Sequence, residues 1–274
     1  MNLFFLAVLA VVQGITEFLP ISSSAHLVLL HELGGQTEGD LALDVAMHLG
    51  TIAAVILYFR RDSLAAFAGL AHLARGRTDS REGRLAGLLI IATIPAVLFG
   101  GLITLMGWAD ALRNATVIGW TMIIFGLALW WIDARAPEAR RAEAWTVRRA
   151  LIMGLWQAVA LIPGVSRSGI TITTARALGF ERHDAARLSM LMSIPVTLAT
   201  GAVLALEVAG AGFPPGMLWR TALASFLAFA AAYGALSLMM RFLSRVSFTP
   251  YVIYRVILGL VLLALAYGPA AAGS

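Results

Sequence analysis

Apolar and polar positions fall into long blocks along this chain, without the short periods of a soluble fold. Six apolar stretches are each of spanning length: Leu41–Phe59, Leu85–Met106, Ala115–Ile132, Ala185–Val208, Leu218–Met240 and Tyr251–Tyr267. A transmembrane helix needs about 20 such residues. Two further stretches, Asn2–Leu19 and Thr146–Ile162, stop at a proline and run into a short polar cluster. A second, shorter apolar piece follows each cluster, His26–Leu33 and Ile170–Leu178. An apolar half, a polar Pro/Ser/Gly break and another apolar half predict a re-entrant helix-loop-helix hairpin. Irregular backbone at membrane depth is tolerated where protein or a water-filled cavity surrounds it. The predicted fold is an all-α polytopic membrane protein with six transmembrane helices plus two re-entrant hairpins.

The order of elements repeats within a single membrane domain, 1–274. A hairpin and three spans fill 1–133, and the same order fills 145–274. An odd number of spans per half makes the second copy enter from the opposite side, an inverted-topology repeat whose broken helices meet near the midplane. Sequence likeness between the halves is limited to Gln, Pro and Ser-x-Ser.

Composition agrees with membrane residence: 60% of residues are hydrophobic and 13% charged, with mean hydropathy +0.85. No lysine occurs, so arginine alone carries the net charge of +5. The arginines fall in loops between apolar runs, which points to topology and away from nucleic acid. Arg60, Arg61, Arg75, Arg77, Arg81 and Arg84 share one loop, and Arg135, Arg140, Arg141, Arg148 and Arg149 the next. Arg176, Arg182, Arg187, Arg241 and Arg245 fall on the same side, leaving Arg113 and Arg220 opposite. The positive-inside rule makes the crowded side cytoplasmic and puts both termini outside. Ser63–Ala74 reads as a short interfacial helix or a plain loop. The first apolar stretch has no basic n-region and carries Glu17 before Pro20, unlike a cleaved signal peptide. Absence of cysteine excludes disulfides, thiolate metal sites and a thiol nucleophile.

Chemistry concentrates in the two breaks, since ionisable groups at membrane depth are costly and mark function. The first cluster is Gln13-Gly-Ile-Thr-Glu17-Phe-Leu-Pro20-Ile-Ser22-Ser23-Ser24-Ala-His26. Gln13 and Glu17 share a helix face and could hold a hard divalent cation, Mg or Ca, with substrate phosphate completing the shell. They could equally be a hydrogen-bonded pair at a helix end. Ser22, Ser23, Ser24 and His26 offer a nucleophile with an adjacent base, although serine runs also cap helix starts.

The second cluster, Gln157-Ala-Val-Ala-Leu-Ile-Pro163-Gly-Val-Ser166-Arg167-Ser168-Gly169-Ile-Thr171, supplies a cation. Arg167 is the one arginine placed well inside the bilayer, and its fork suits phosphate oxygens or a partner carboxylate such as Glu17. Ser166, Ser168, Gly169 and Thr171 add hydroxyl contacts and close backbone approach to an anion at a helix N-terminus. A diphosphate carries about three negative charges, which one arginine leaves under-neutralised at low dielectric; a divalent cation would supply the remainder. Asp44 and His48 read as a surface hydrogen bond more than as support for the hairpin. Arg187, Ser189 and Ser193 are expected to dock the other hairpin, and Trp108, Trp120, Trp130, Trp131, Trp145 and Tyr267 to form interfacial belts.

Both clusters, in order and at this spacing, resemble the signature regions of the undecaprenyl-pyrophosphate phosphatases, the bacterial bacitracin-resistance phosphatases. The resemblance covers essentially the whole chain. It implies hydrolysis of a polyprenyl diphosphate lipid to the monophosphate carrier used for peptidoglycan, dependence on a divalent cation, and a multi-pass inner (plasma) membrane location; the active site is expected to face the periplasm. By position it makes Glu17 the essential acid, Gln13 its partner, Ser23 the proposed nucleophile, His26 the essential histidine and Arg167 the essential arginine, with Ser166 and Thr171 beside it. Ser22, Ser24, Ser168 and Gly169 are expected around the substrate from their place in the breaks. Glutamine at 13 departs from a two-carboxylate metal site, and Ser24-Ala25 stands where Thr-Gly is common. Two routes stay open, Ser23 attacking with His26 as base or His26 activating water directly. Inverted repeats with broken helices also suit a transporter, so flipping of polyprenyl phosphate is the rival activity. The partners expected are the lipid substrate and the bilayer; a homodimer is compatible with the sequence.

Overall fold

A computed structural model describes residues 2–34, 41–112, 114–211, 217–243 and 245–268. The described residues form α1 (Leu3–Phe18), α2 (Ser23–Gly34), α3 (Leu41–Tyr58), α4 (Arg60–Ala74), α5 (Arg81–Leu105), α6 (Ala109–Leu112) and α7 (Ala115–Arg135). After a 3-10 turn at Ala142–Ala144 come α8 (Val147–Val159), α9 (Arg167–Ala177), α10 (Arg182–Ala211), α11 (Met217–Phe242) and α12 (Thr249–Tyr267). Met1, Arg113 and 269–274 lie outside the described residues, so the expected outer position of Arg113 and the far ends of the two halves do as well.

Among the described helices, α5, α7, α10 up to Val203, α11 and α12 are long and apolar enough to cross a membrane. A sixth span arises when α3 and α4, bent by 100° across Phe59, are counted together. The expected stretch Leu41–Phe59 thus turns a corner at its end. α4 is a helix, and of the two readings of this segment the loop is dropped. Its Ser63 and Gly69 are buried on the side that packs against α5, while Leu64, Phe67 and Leu70 are exposed, an apolar stripe suited to a membrane surface.

Local chemistry sets the helix ends. Leu19 precedes Pro20, which disfavours helical backbone, and α1 stops there with Leu19 extended (φ −69°, ψ 145°). Asn2, Ser80, Asn114 and Ser166 each accept a backbone N–H from the first turn of α1, α5, α7 and α9, the ordinary N-cap bond.

The largest core cluster joins Phe18 of α1 to Val55, Leu89, Leu129, Met153, Ile172, Met192, Leu236 and Val252, drawing in nine helices. At its centre α9 is buried from Ser168 to Arg176 although it is mostly polar. Its threonines satisfy themselves internally: Thr173 Oγ1 donates to the Gly169 carbonyl at 2.7 Å and Thr174 Oγ1 to that of Ile170 at 2.8 Å.

Three expectations are corrected here. Trp145, placed in the interfacial belt, is only 2% exposed and belongs to the core. Arg176, counted among the loop arginines, is 1% exposed and ion-paired to Asp133 at 2.8 Å, with Arg182 on the same carboxylate at 2.9 Å. Arg187 does not dock the second hairpin; it pairs with Asp62 at 2.6 and 2.9 Å and ties α10 to α4.

Candidate active site

The break between α1 and α2 and that between α8 and α9 are built alike. Each holds a serine in left-handed backbone, Ser22 at φ 70° and Ser166 at φ 69°. Such conformations cost a non-glycine residue about 1–3 kcal/mol and gather at functional sites. Each serine hydroxyl meets that of the serine two residues on, Ser22 with Ser24 at 3.0 Å and Ser166 with Ser168 at 3.2 Å.

The breaks are stitched to each other. Gly164 N–H donates to Ser24 Oγ at 3.3 Å, and Ser168 Oγ donates to the Leu19 carbonyl at 2.9 Å. Gly164 itself lies at φ 88°, and a methyl there would collide with Thr121 and the Ile118 backbone. Only glycine satisfies both conditions.

A cavity of about 280 Å³ opens between the breaks, lined by Glu17, Ser22, Ser23, Ser24, His48, Gln157, Ser166 and Arg167 among others. Glu17 is its hub. Arg167 Nη2 donates to Oε1 at 3.1 Å; Gln13 Nε2 and Ser23 Oγ each donate to Oε2 at 3.0 Å. Acid from one half and guanidinium from the other therefore meet as an ion pair. Three buried polar atoms beside them have no hydrogen-bond partner: Gln13 Oε1, Gln157 Oε1 and Arg167 Nη1. Buried polar atoms are rarely left so, and here they amount to one donor and two acceptors. Because α2 starts at Ser23 and α9 at Arg167, the positive ends of two helix dipoles converge on the same space.

Several expected contacts fall elsewhere. Ser168, Gly169 and Thr171 do not line the cavity. Ser168 serves the stitch, Gly169 N–H caps onto Ser166 Oγ at 3.1 Å, and Thr171 Oγ1 turns to Ser189 Oγ of α10 at 2.6 Å. Ser189 thus docks α9 as expected, whereas Ser193 bonds only to the Met190 carbonyl of its own helix at 2.6 Å.

The expected Ser23–His26 couple is not formed. His26 Nδ1 lies 2.7 Å from the Ser22 carbonyl, which can only accept, so Nδ1 carries the proton. Nε2 then accepts from the Tyr254 hydroxyl at 2.6 Å. His48, expected in a surface pair with Asp44, instead reaches the site. Its Nδ1 donates to the Asp44 backbone carbonyl at 2.8 Å, and its Nε2 faces Gln13 Nε2 at 3.4 Å.

Arg255 was missed from the sequence. It sits in α12 at 0% exposure and donates to Met122 (3.2 Å), Pro20 (3.3 Å), Gly164 (3.1 Å) and Val165 (2.9 Å), all through their carbonyls. One guanidinium thus holds both breaks and α7. Gly169 keeps room for it, since a methyl there would stand 2.7 Å from Nη1. The signal was present as the one charged residue inside the Tyr251–Tyr267 stretch.

For a divalent cation, the buried Gln13 Oε1 is a free hard-oxygen donor beside the Glu17 carboxylate. Among the described residues, no three His, Cys, Asp or Glu come together as a metal-holding group.

Comparison with known proteins identifies the family. The model of the family described as "Bacitracin resistance protein BacA" matches residues 6–261. A protein of Dinoroseobacter shibae named undecaprenyl-diphosphatase is 57% identical over 267 residues, 97% of this chain and 100% of the relative. One of the same name from Jannaschia sp. is 56% identical over equal coverage. Another, from Chromohalobacter salexigens, is 46% identical over 256 residues, 93% of this chain and 96% of its own.

Proposed function

The chain belongs to the bacitracin resistance protein BacA family, and on that premise we propose that the cavity between its two breaks is where polyprenyl diphosphate is hydrolysed. Its activity is that of an undecaprenyl-diphosphatase, a membrane hydrolase that yields undecaprenyl phosphate and inorganic phosphate. The product is the carrier lipid of peptidoglycan synthesis, and the activity underlies bacitracin resistance. The observation that carries the placement is the Arg167–Glu17–Ser23 chain of bonds at 3.1 and 3.0 Å, beside an unpartnered Arg167 Nη1.

Arg167 Nη1 takes an oxygen of the terminal phosphoryl, and the N-termini of α2 and α9 stabilise its charge. Ser23 Oγ attacks phosphorus in line as its proton passes to Glu17 Oε2. The bond to the bridging oxygen breaks, undecaprenyl phosphate leaves, and water then splits the phosphoserine to phosphate and free serine. A carboxylate suffices as proton acceptor because the phosphoryl-transfer transition state is loose and asks little of the base. Ser22, Ser24 and Ser166 line the phosphate path.

Gln13 and Glu17 are the residues that would hold a divalent cation, which when bound would offset negative charge on the diphosphate. Gln13 Oε1 is the free donor for such an ion, whereas Glu17 accepts three hydrogen bonds and would have to release one to share the ion's shell.

The two breaks are re-entrant tips related by an inverted repeat, 1–133 and 145–274, and the cavity opens on the periplasmic side of the inner membrane. Support comes from the matched serine geometry and from the arginines at the starts of α4, α5 and α8, none of which lines the cavity. The test is phosphate release from polyprenyl diphosphate by the purified chain in detergent. Ser23→Ala is expected to abolish both release and a trappable phosphoserine; a Ser23→Ala chain keeping most of its activity removes the serine from the mechanism.

A further inference from the structure

We infer that Tyr254 and His26 form a positioning pair that fixes the strained turn at Ser22 and so aims Ser23 at Glu17. The inference rests on the hydrolytic role given to Ser23 above. Four observations carry it.

His26 faces away from the chemistry. It is absent from the walls of the catalytic cavity, and both ring nitrogens are engaged elsewhere, Nδ1 with the Ser22 carbonyl at 2.7 Å and Nε2 with Tyr254 Oη at 2.6 Å. A ring so bonded has neither a lone pair nor a direction for the Ser23 hydroxyl, which already donates to Glu17.

The two rings are locked as a unit. They lie parallel within 3° with centroids 5.5 Å apart, and the short O–H···N bond sets the imidazole tautomer that makes Nδ1 a donor. Tyr254 stands 43% exposed on the outer wall of the bundle. Its hydroxyl thereby satisfies an imidazole nitrogen that would otherwise face hydrocarbon, where an unmade hydrogen bond is expensive.

The bond acts where strain is stored. Ser22 is one of only two non-glycine residues at positive φ among those described, and its carbonyl is the atom that His26 grips. Next along the chain is Ser23. A turn that relaxes toward ordinary backbone swings Oγ away from Glu17, and a displacement of about 1 Å can cost on the order of a hundredfold in rate.

The opposite break differs at the same place. There isoleucine, Ile170, stands four residues on from Ser166, a side chain with no donor, where the first break has His26. The imidazole clamp is thus a feature of the half that bears Ser23.

The experiment measures phosphate release by the full-length chain in detergent, with kcat, KM and pH profile for three variants. Tyr254→Phe keeps the stacked ring and removes one oxygen; kcat is expected to fall about tenfold, the worth of one buried hydrogen bond, with KM within about twofold and the pH profile unchanged in shape. His26→Asn supplies an amide N–H in place of Nδ1–H and cannot titrate, so it is expected to recover at least tenfold in kcat over His26→Ala, about half of that larger loss. If His26 is the proton acceptor, His26→Asn is as inactive as His26→Ala and the pH profile loses a limb in both; either result overturns the inference. A Tyr254→Phe chain with wild-type kcat overturns it too. Failure of the wild-type chain to release phosphate instead refutes the underlying hydrolytic reading, so the two failures are distinct. Tyr254→Phe deletes no packing atom, which keeps the test available should His26→Ala not fold.

Discussion

Replacing Arg255 by methionine tests whether one guanidinium holds the two breaks together. Methionine follows the same unbranched path through the core and removes four donated bonds, to Met122, Pro20, Gly164 and Val165. Bonds from a charged donor contribute about 1.5–3 kcal/mol each, so the gross loss is about 6–12 kcal/mol. Against this stands a refund. Arg255 has no carboxylate partner among the described ion pairs, and several kcal/mol of desolvation is recovered when the charge is removed. The net destabilisation expected is about 3–5 kcal/mol, the scale on which a broken buried charge site usually falls. At about 2–4 °C per kcal/mol for a chain of this size, Tm in detergent should drop by about 6–20 °C. Phosphate release measured below the lowered Tm should fall as well, because the carbonyls set free belong to the very turns that carry Ser23 and Arg167. A Tm within about 2 °C of wild type, together with undiminished turnover, would show that the four contacts are worth no more than the burial they require.

Glu17→Gln should lower kcat by about 10²–10³, since it removes the proton acceptor and leaves Arg167 without a counter-charge; the check is single-turnover phosphate release, and retention of a tenth of wild-type kcat counts against Glu17 as the base. Asp133→Asn should leave the buried Arg176 with only the half-exposed Glu138, at 3.6 Å, as counter-charge and destabilise the fold by about 3–5 kcal/mol, read as a fall in Tm with KM unchanged. Chelation should silence the enzyme and Mg or Ca should restore it, and Gln13→Glu should lower the cation concentration needed for half-activity; turnover that persists in chelator refutes the cation role.

The breaks were legible because proline, glycine and clustered serines interrupt hydrocarbon-like sequence, and nothing else along the chain does so in that combination. Glu17 facing Arg167 followed from the cost of leaving either alone at that depth. What escaped is what the pattern averages away. Arg255 vanished inside a stretch whose other residues are apolar or tyrosine. Trp145 looked like a belt residue because its neighbours are charged, but the chain folds back over it. His48 was paired with its sequence neighbour Asp44 by helical spacing, whereas the ring reaches across to Gln13 in another helix. The roles of Ser168 and Thr171 depend on which way α9 is rotated, and a helix buried on every side has no amphipathic stripe from which to read that.

The reciprocal stitches between Ser24 and Gly164, and between Ser168 and Leu19, have a bearing on biogenesis. Each half finishes the turn of the other, so a nascent chain emerging from the ribosome holds Glu17 uncompensated until Arg167 has been inserted more than a hundred residues later. Two separately translated fragments cut between 135 and 145 should consequently be unstable when made singly and regain activity when made in the same cell.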